Sequence, residues 1–451
     1  MVRPAHPSFP PGAARSEDRV TMGVSLPILA LELPGQQYSC HACGDCCRDF
    51  TVQLRDEDIE RLDRQGWASE LGGAPWVEFR GSRFLRQRPD GACIFLQDDG
   101  LCRIHARHGL QHKPVACRSF PLSVMPTADG PQQGLNFACR SVQRNLGAPL
   151  GTHLPDLRRI AEDAPETIGQ ARVVALLPGR PGSPLELRAL AGVLDQWMGR
   201  DGLPIATRID GLAWIAQALR HAKLASVKDD RFLELITTII ATLEGELEAD
   251  PVVPATERQE RMLRQAIFMR TEDPRLDRMK SDGFLRTAWR QWRRQRAFLK
   301  GSGTVPELRG FASGVRFQTA ELIPNPLHDA AEGHDEPIDD LVSRWVRARL
   351  RGARTWGAGY YGFSAVEGLS ALCVDVASAA YLARVHAAGR DASADRVMLA
   401  DMAAAVARID RTAGRAPWLA TSGERLRLSY LALDDGLRRT CALHACGVEW
   451  T

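Results

Sequence analysis

Cys40-His-Ala-Cys43-Gly-Asp-Cys46-Cys47 places four thiols within eight residues. Two-residue loops separate Cys40 from Cys43 and Cys43 from Cys46, and Cys47 follows at once. Short Cys-x-x-Cys loops let two sulfurs converge on one metal, because the residues between them can turn back on themselves. Gly44 supplies the backbone freedom for such a turn and leaves N–H groups free to point at the sulfurs. A segment of this kind is a loop, so the region around it is expected to be short-stranded and loop-rich.

Working outward, further thiols follow at wide intervals. Cys93 and Cys102 flank Asp98-Asp99-Gly100, which predicts a tight hairpin carrying both. Lys113-Pro114-Val-Ala-Cys117-Arg-Ser-Phe-Pro121 reads as a loop whose prolines aim Cys117, and Cys139 closes the region. Between these, Phe50–Leu54 alternates as a short strand, Asp56–Leu62 opens a helix, and Trp76–Leu85 alternates as a hairpin strand. Cys40, Cys43, Cys46, Cys47, Cys93, Cys102, Cys117 and Cys139 are the candidate metal ligands, and a shared inorganic centre is expected to draw Cys40, Cys43, Cys93 and Cys117 together. Zinc takes four nitrogen or sulfur ligands and a four-iron cluster takes four cysteines, so eight thiols supply two sites, or one site plus spectators. In extended backbone Cys46 and Cys47 would point apart and could serve different centres; the alternative is that one of the two is a buried apolar residue.

The spacing matches neither tandem Cys-x-x-Cys zinc-ribbon pairs, nor the bacterial ferredoxin run, nor the radical S-adenosylmethionine pattern. It therefore indicates metal without choosing it; an iron–sulfur cluster, as [4Fe–4S], is preferred over zinc. Arg48, Arg103, Arg118 and Arg140 lie near the thiols and can offset thiolate charge. His105, His108 or His112 could replace a thiol, but His105 is expected to hold the loop by a hydrogen bond, and His41 to face solvent.

The chain has 451 residues, 44% hydrophobic and 25% charged, ordinary values for a globular protein that needs no disulfide staples. A net charge of +3 gives no strong nucleic-acid signal. No secretory signal is visible, and no run approaches the length needed to span a membrane, so the cytoplasm and no membrane partner are expected. In that compartment clustered thiols signal metal, cluster or redox chemistry. Residues 1–21 read as a disordered tail, with Met22 an alternative start to Met1.

The texture changes from Pro155. Pro178–Pro184 reads as a linker or surface loop, and long stretches of helical periodicity follow from Leu185 to Cys441, interrupted by a Gly- and Pro-rich segment at Gly301–Pro337. Arg425–Cys441 reads as one helix. Phe284–Lys300 reads as an amphipathic helix with a solvated basic face and a core stripe of Leu285, Trp289, Trp292 and Leu299; the other reading is a surface for nucleic acid or an acidic partner helix. Tyr360-Tyr361-Gly-Phe363 reads as a packing turn rather than an adenine-stacking site, and Cys441, His444 and Cys446 as a loose group with a surface thiol. No glycine-rich Rossmann fingerprint, Walker loop, Gly-x-Ser-x-Gly elbow or His-Glu-x-x-His is present.

The joint pattern Cys40-x-x-Cys43-Gly-x-Cys46-Cys47-Arg, Gly91-x-Cys93-Ile-Phe-Leu, Cys102-x-Ile-His105 and Lys113-Pro-x-x-Cys117-Arg-x-Phe-Pro121 resembles the YkgJ-type cysteine-cluster family. The resemblance covers about residues 38–140 and implies a zinc- or iron-chelating domain with ligands at Cys40, Cys43, Cys46, Cys47, Cys93, Cys102 and Cys117, and more weakly Cys139. The family includes flagellin lysine-N-methylases, which implies, as an alternative, protein lysine methylation with S-adenosylmethionine. A third reading is a zinc-stabilised interaction module. The expected fold is α+β: a loop-rich cysteine-cluster module over residues 22–150, then a mainly helical domain over 151–451 that recognises a protein substrate or partner.

Overall fold

The computed structural model describes residues 27–79, 81–163, 172–271, 283–308, 310–327 and 336–443. The expected tail, Met22, His444 and Cys446 lie outside the described residues.

The architecture is α+β. β1 (Gln37–Tyr38) leads into the cysteine loop, and α1 (Asp45–Asp49) carries Cys46 and Cys47. β2 (Gln53–Leu54) is followed by α2 (Asp56–Arg64) and α3 (Trp67–Leu71), then β3 (Trp76–Phe79) and β4 (Ser82–Leu85); the strands form an antiparallel sheet in the order β2-β4-β3. α4 (Arg103–His108) and α5 (Val115–Ser119) come next. The hairpin of β5 (Leu122–Thr127) and β6 (Gly130–Leu135) leads to α6 (Arg140–Gln143). β7 (Ala148–Pro149) then returns to pair with β1, so the two ends of the module meet before α7 (Leu154–Asp163).

Among the described residues, two cores hold this chain. Leu54, Ile59, Leu62, Trp67, Leu85, Phe95 and Ile104 form a small one under the β2-β4-β3 sheet. The large core belongs to the helices, but it also takes in Ile28, Leu31, Leu33, Tyr38, Leu122, Leu135, Phe137, Val142 and Leu157. Its centre is the helix Ala365–Arg390, started by a Ser364–Glu367 capping box and buried on every side. Its Ala-, Ser- and Val-rich sequence lets neighbours approach all round, as a helix in the middle of a domain requires. By length and composition this helix could cross a membrane, which corrects the expectation that no run reaches that length; its apolar window is wholly buried inside the protein.

Four further expectations are corrected. Residues 178–184 are no linker: β8 (Ala175–Leu177) and β9 (Arg180–Pro181) form a hairpin there, with Leu176 fully buried and Arg180 bonded to Glu186 at 2.6 Å. The segment 425–441 is two helices, Ser422–Leu431 and Gly436–Ala442, because Asp434 and Asp435 take positive φ between them. In the helix Gly283–Lys300, Leu285, Trp289 and Trp292 face solvent; Phe298, not the tryptophans, anchors it between Phe268 and Phe317. Tyr360 and Phe363 are fully buried and meet edge to face, a packing turn as expected. Cys441 is buried, its thiol 3.7 Å from the Cys373 carbonyl oxygen, rather than a surface thiol.

Candidate metal centre

The Cys40–Cys43 loop lies directly on the turn between Cys93 and Cys102. A Cβ on Gly44 (φ +74°) would meet the Gly100 carbonyl oxygen at 3.2 Å, and one on Gly100 (φ +84°) would meet that of Ala42 at 3.1 Å. Only bare backbone fits this crossing, and both residues hold conformations that glycine adopts without strain. The turn itself is tight, with Gly100 N–H donating to Gln97 and Gln97 N–H to Leu101, but it carries only a single bridge between Leu96 and Cys102 in place of a full hairpin. Behind it, the Cys93 N–H donates to the Cys47 carbonyl at 2.7 Å.

Helix starts position most of the remaining thiols. Cys102 and Cys139 are the N-cap residues of α4 and α6, and Cys117 lies in the short α5. α5 is fixed from below: the buried Asp58 of α2 accepts the Val115 N–H at 3.0 Å, the Arg55 N–H at 3.3 Å and the Arg61 guanidinium at 3.1 Å.

All eight thiols are free. Electrostatically seven of them fall into two groups that share Cys46. Cys40, Cys43, Cys46 and Cys139 act together on the Tyr38 hydroxyl, which burial and these thiols push well above its usual range. Cys93, Cys102 and Cys117 form the other group, again with Cys46. Burial pushes Cys93 and Cys117 up to about 12 and Cys139 up to about 11, neighbouring thiols adding to the effect. A hydrogen bond to Cys47 raises Cys46 as well, although Cys46 lies exposed at the surface. Backbone N–H groups oppose this: that of Asp45 faces the Cys43 sulfur, that of Phe95 faces Cys93, and those of Ser141 and Val142 face Cys139. Donors aimed at sulfur favour the thiolate, the form that binds metal.

The cation among the thiols is Lys113. Burial disfavours its charge, yet Cys117, Cys102, Cys46 and Cys47 outweigh that and hold its pKa above the usual value. The four arginines are engaged elsewhere: Arg48 with the Cys43 carbonyl and Asp45, Arg140 with Asp45, Arg103 with Glu70 and Arg118 with Asp163. Asp58 is a positioning residue that the sequence does not reveal, and Lys113, which the sequence places in the loop that aims Cys117, is also the cation among the thiols. A lysine and a proline preceding a cysteine gave the one visible signal for Lys113; Asp58 read only as first-turn acidity. Of the histidines, His41 is exposed but shares a 3.0 Å hydrogen bond with Ser141, His105 is exposed, and His108 packs edge-on against Trp67.

Cys40, Cys43, Cys93 and Cys117 are not drawn to one point, and among the described residues no three His, Cys, Asp or Glu side chains stand close enough to hold a metal ion as they are. Cys47, Cys93, Cys102 and Cys117 hang from the small core and Cys139 from the large one. The donor chemistry nonetheless fits zinc or iron: soft sulfur ligands in number, N–H groups turned toward them, and a partly buried cation to offset thiolate charge.

Residues 39–140 match the model of the CxxCxxCC family, a putative zinc- or iron-chelating domain. That stretch is a cysteine-cluster domain, and metal binding is its general property. An uncharacterized protein of Methanocaldococcus jannaschii is similar to it, at 31% identity over 98 residues, 21% of this chain. The chain spans about a third of that relative, 33% of its length. No solved structure matches.

Proposed function

We propose that the cysteine module holds an iron–sulfur cluster and that the helical domain presents it to a protein partner or substrate in the cytoplasm. The observation that carries this reading is the crossing of the Cys40–Cys43 loop over the turn between Cys93 and Cys102, with the Cys93 N–H on the Cys47 carbonyl at 2.7 Å, which sets thiols from separate segments side by side. Eight thiols in one domain offer more sulfur than a single tetrahedral zinc can use, and a polynuclear centre uses ligands drawn from several segments. Cys40, Cys43, Cys46 and Cys139 would contribute from one side, and Cys47, Cys93, Cys102 and Cys117 from the other. Closing a centre from this arrangement requires the thiols to turn inward. When bound, a cluster would supply electron transfer or an open iron site. The chain's own part is to neutralise thiolate charge through Lys113 and to donate backbone N–H groups to sulfur.

Anaerobic purification, with iron, acid-labile sulfide and zinc measured on the same sample, tests this. A brown protein with iron, sulfide and a cluster Mössbauer spectrum is the expected result. A colourless protein with stoichiometric zinc overturns it in favour of a zinc-stabilised module. Methyl transfer from S-adenosylmethionine to a protein lysine, lost in Cys43→Ser, would make the centre part of a lysine methylase.

A further inference from the structure

The helix Gly283–Lys300 shows an apolar stripe to solvent although its packing side is already filled. Phe298 is fully buried, with ring centroids 5.8 Å from Phe268 and 5.4 Å from Phe317. On the other side Leu285, Trp289 and Trp292 are 81%, 57% and 52% exposed. Their spacing puts them on one line along the helix. Exposed Arg286, Arg293, Arg296 and Lys300 share that half of the helix, and the segment contains no Asp or Glu. The Arg293 guanidinium lies 4.8 Å from the Trp289 ring and that of Arg296 5.2 Å from Trp292. Three large apolar side chains in water forgo their burial free energy, and a contiguous exposed patch of this kind marks an interaction site.

We propose that this face docks on an anionic lipid surface, with Leu285, Trp289 and Trp292 entering the boundary between headgroups and acyl chains and the cations meeting lipid phosphates. Charge complementarity selects the occupant. The whole chain is close to neutral at +3, whereas this helix carries cations only, so an anionic surface attracts the molecule by this face. Leu285 separates lipid from nucleic acid: a base-stacking platform gains from aromatic rings and cations, not from its most exposed member being aliphatic. An interfacial helix gains from all three, with indoles at headgroup level and arginines reaching outward. The contact is peripheral. It departs from the expectation of no membrane partner, which rested on spanning length alone.

The test is sedimentation of the full chain with vesicles of phosphatidylcholine alone or mixed with phosphatidylglycerol, at low and high salt. The expected result is binding to the mixed vesicles only, weakened at high salt. It should fall about tenfold or more in Leu285→Ala/Trp289→Ala/Trp292→Ala and likewise in Arg286→Glu/Arg293→Glu/Arg296→Glu. The substituted side chains are exposed, so unchanged circular dichroism and thermal transitions verify that both variants fold; should either fail that check, the single variants Leu285→Ala and Arg296→Glu carry the comparison. Absence of binding to mixed vesicles overturns the proposal. So does equal binding by the variants, or retention of single-stranded nucleic acid or an acidic peptide by a protein that ignores vesicles.

Discussion

Asp58 stands 59 positions before Cys117 in the sequence, yet it holds the start of the helix that carries Cys117. Its carboxylate holds the Val115 N–H at the start of α5 and the Arg55 N–H at the start of α2. Asp58→Ala strands both donors and is expected to cost about 1–3 kcal/mol in urea unfolding. The same variant should take up less metal under chelator competition, because the thiol of Cys117 loses its support. Lys113 acts by charge instead. Lys113→Met keeps the hydrocarbon stem and removes the cation facing Cys46, Cys47, Cys102 and Cys117. Metal affinity is expected to fall about tenfold, equivalent to about 1.4 kcal/mol, and Lys113→Arg to retain most of it. Affinity unchanged in Lys113→Met would show that thiolate charge is neutralised by the metal alone. The thiols were legible in the sequence because cysteine spacing is local information. Asp58 was not, since its role arises from a contact across 57 positions.

Among the elements, the helix Ala365–Arg390 illustrates what periodicity reveals and conceals. Its existence is plain in the sequence. Its burial on every side is less so, because apolar and small residues run all round it and no face stands out. The reverse holds for Gly283–Lys300, where the sequence predicts a core stripe that the structure turns to solvent; periodicity identifies a stripe but not what covers it. Inside Ala365–Arg390, the fully buried Asp375 bonds Arg270 and Arg349 at 2.5 Å each, and Arg270 also bonds Glu424 at 2.8 Å. The Tyr360 ring lies 5.3 Å from the Arg349 guanidinium. Replacing Asp375 by Ala leaves Arg349 buried without this carboxylate and Arg270 with one carboxylate in place of two. The expected loss is about 3–5 kcal/mol, measured as a lower denaturant midpoint. Asp375→Ala with Arg349→Met should recover part of that loss, since no second guanidinium then lacks its acid.

Across the whole molecule, Asp410 is one of the points at which the cysteine domain is fastened to the helices. Asp410 accepts the Phe137 N–H at 2.6 Å, the Trp345 indole N–H at 3.1 Å and the Arg354 guanidinium at 3.1 Å, while its own carbonyl takes the Asn136 amide at 3.4 Å. Arg344 adds bonds to Gln36, Val142 and Gln143 at 2.9–3.2 Å. These contacts hold the segment that ends in Cys139, whereas Cys93 and Cys117 rest on the small core. Burial opposes the Asp410 charge, but Arg354, Arg349 and the donated hydrogen bonds keep its pKa below the usual carboxylate value. A carboxylate depressed in the folded state stabilises it fully above its unfolded pKa of about 3.9, and loses that contribution as pH falls through the lower folded value. The wild type should therefore stay docked down to about pH 4 and open progressively below it. Asp410→Asn keeps the shape and removes the charge, so the variant should be weaker by about 1–3 kcal/mol at neutral pH and show a flatter acid slope. Amide exchange at residues 136–143 reads this directly. It should rise in the variant while exchange at Cys93 and around α5 stays slow; a uniform rise in both regions would mean that the two cores unfold as one.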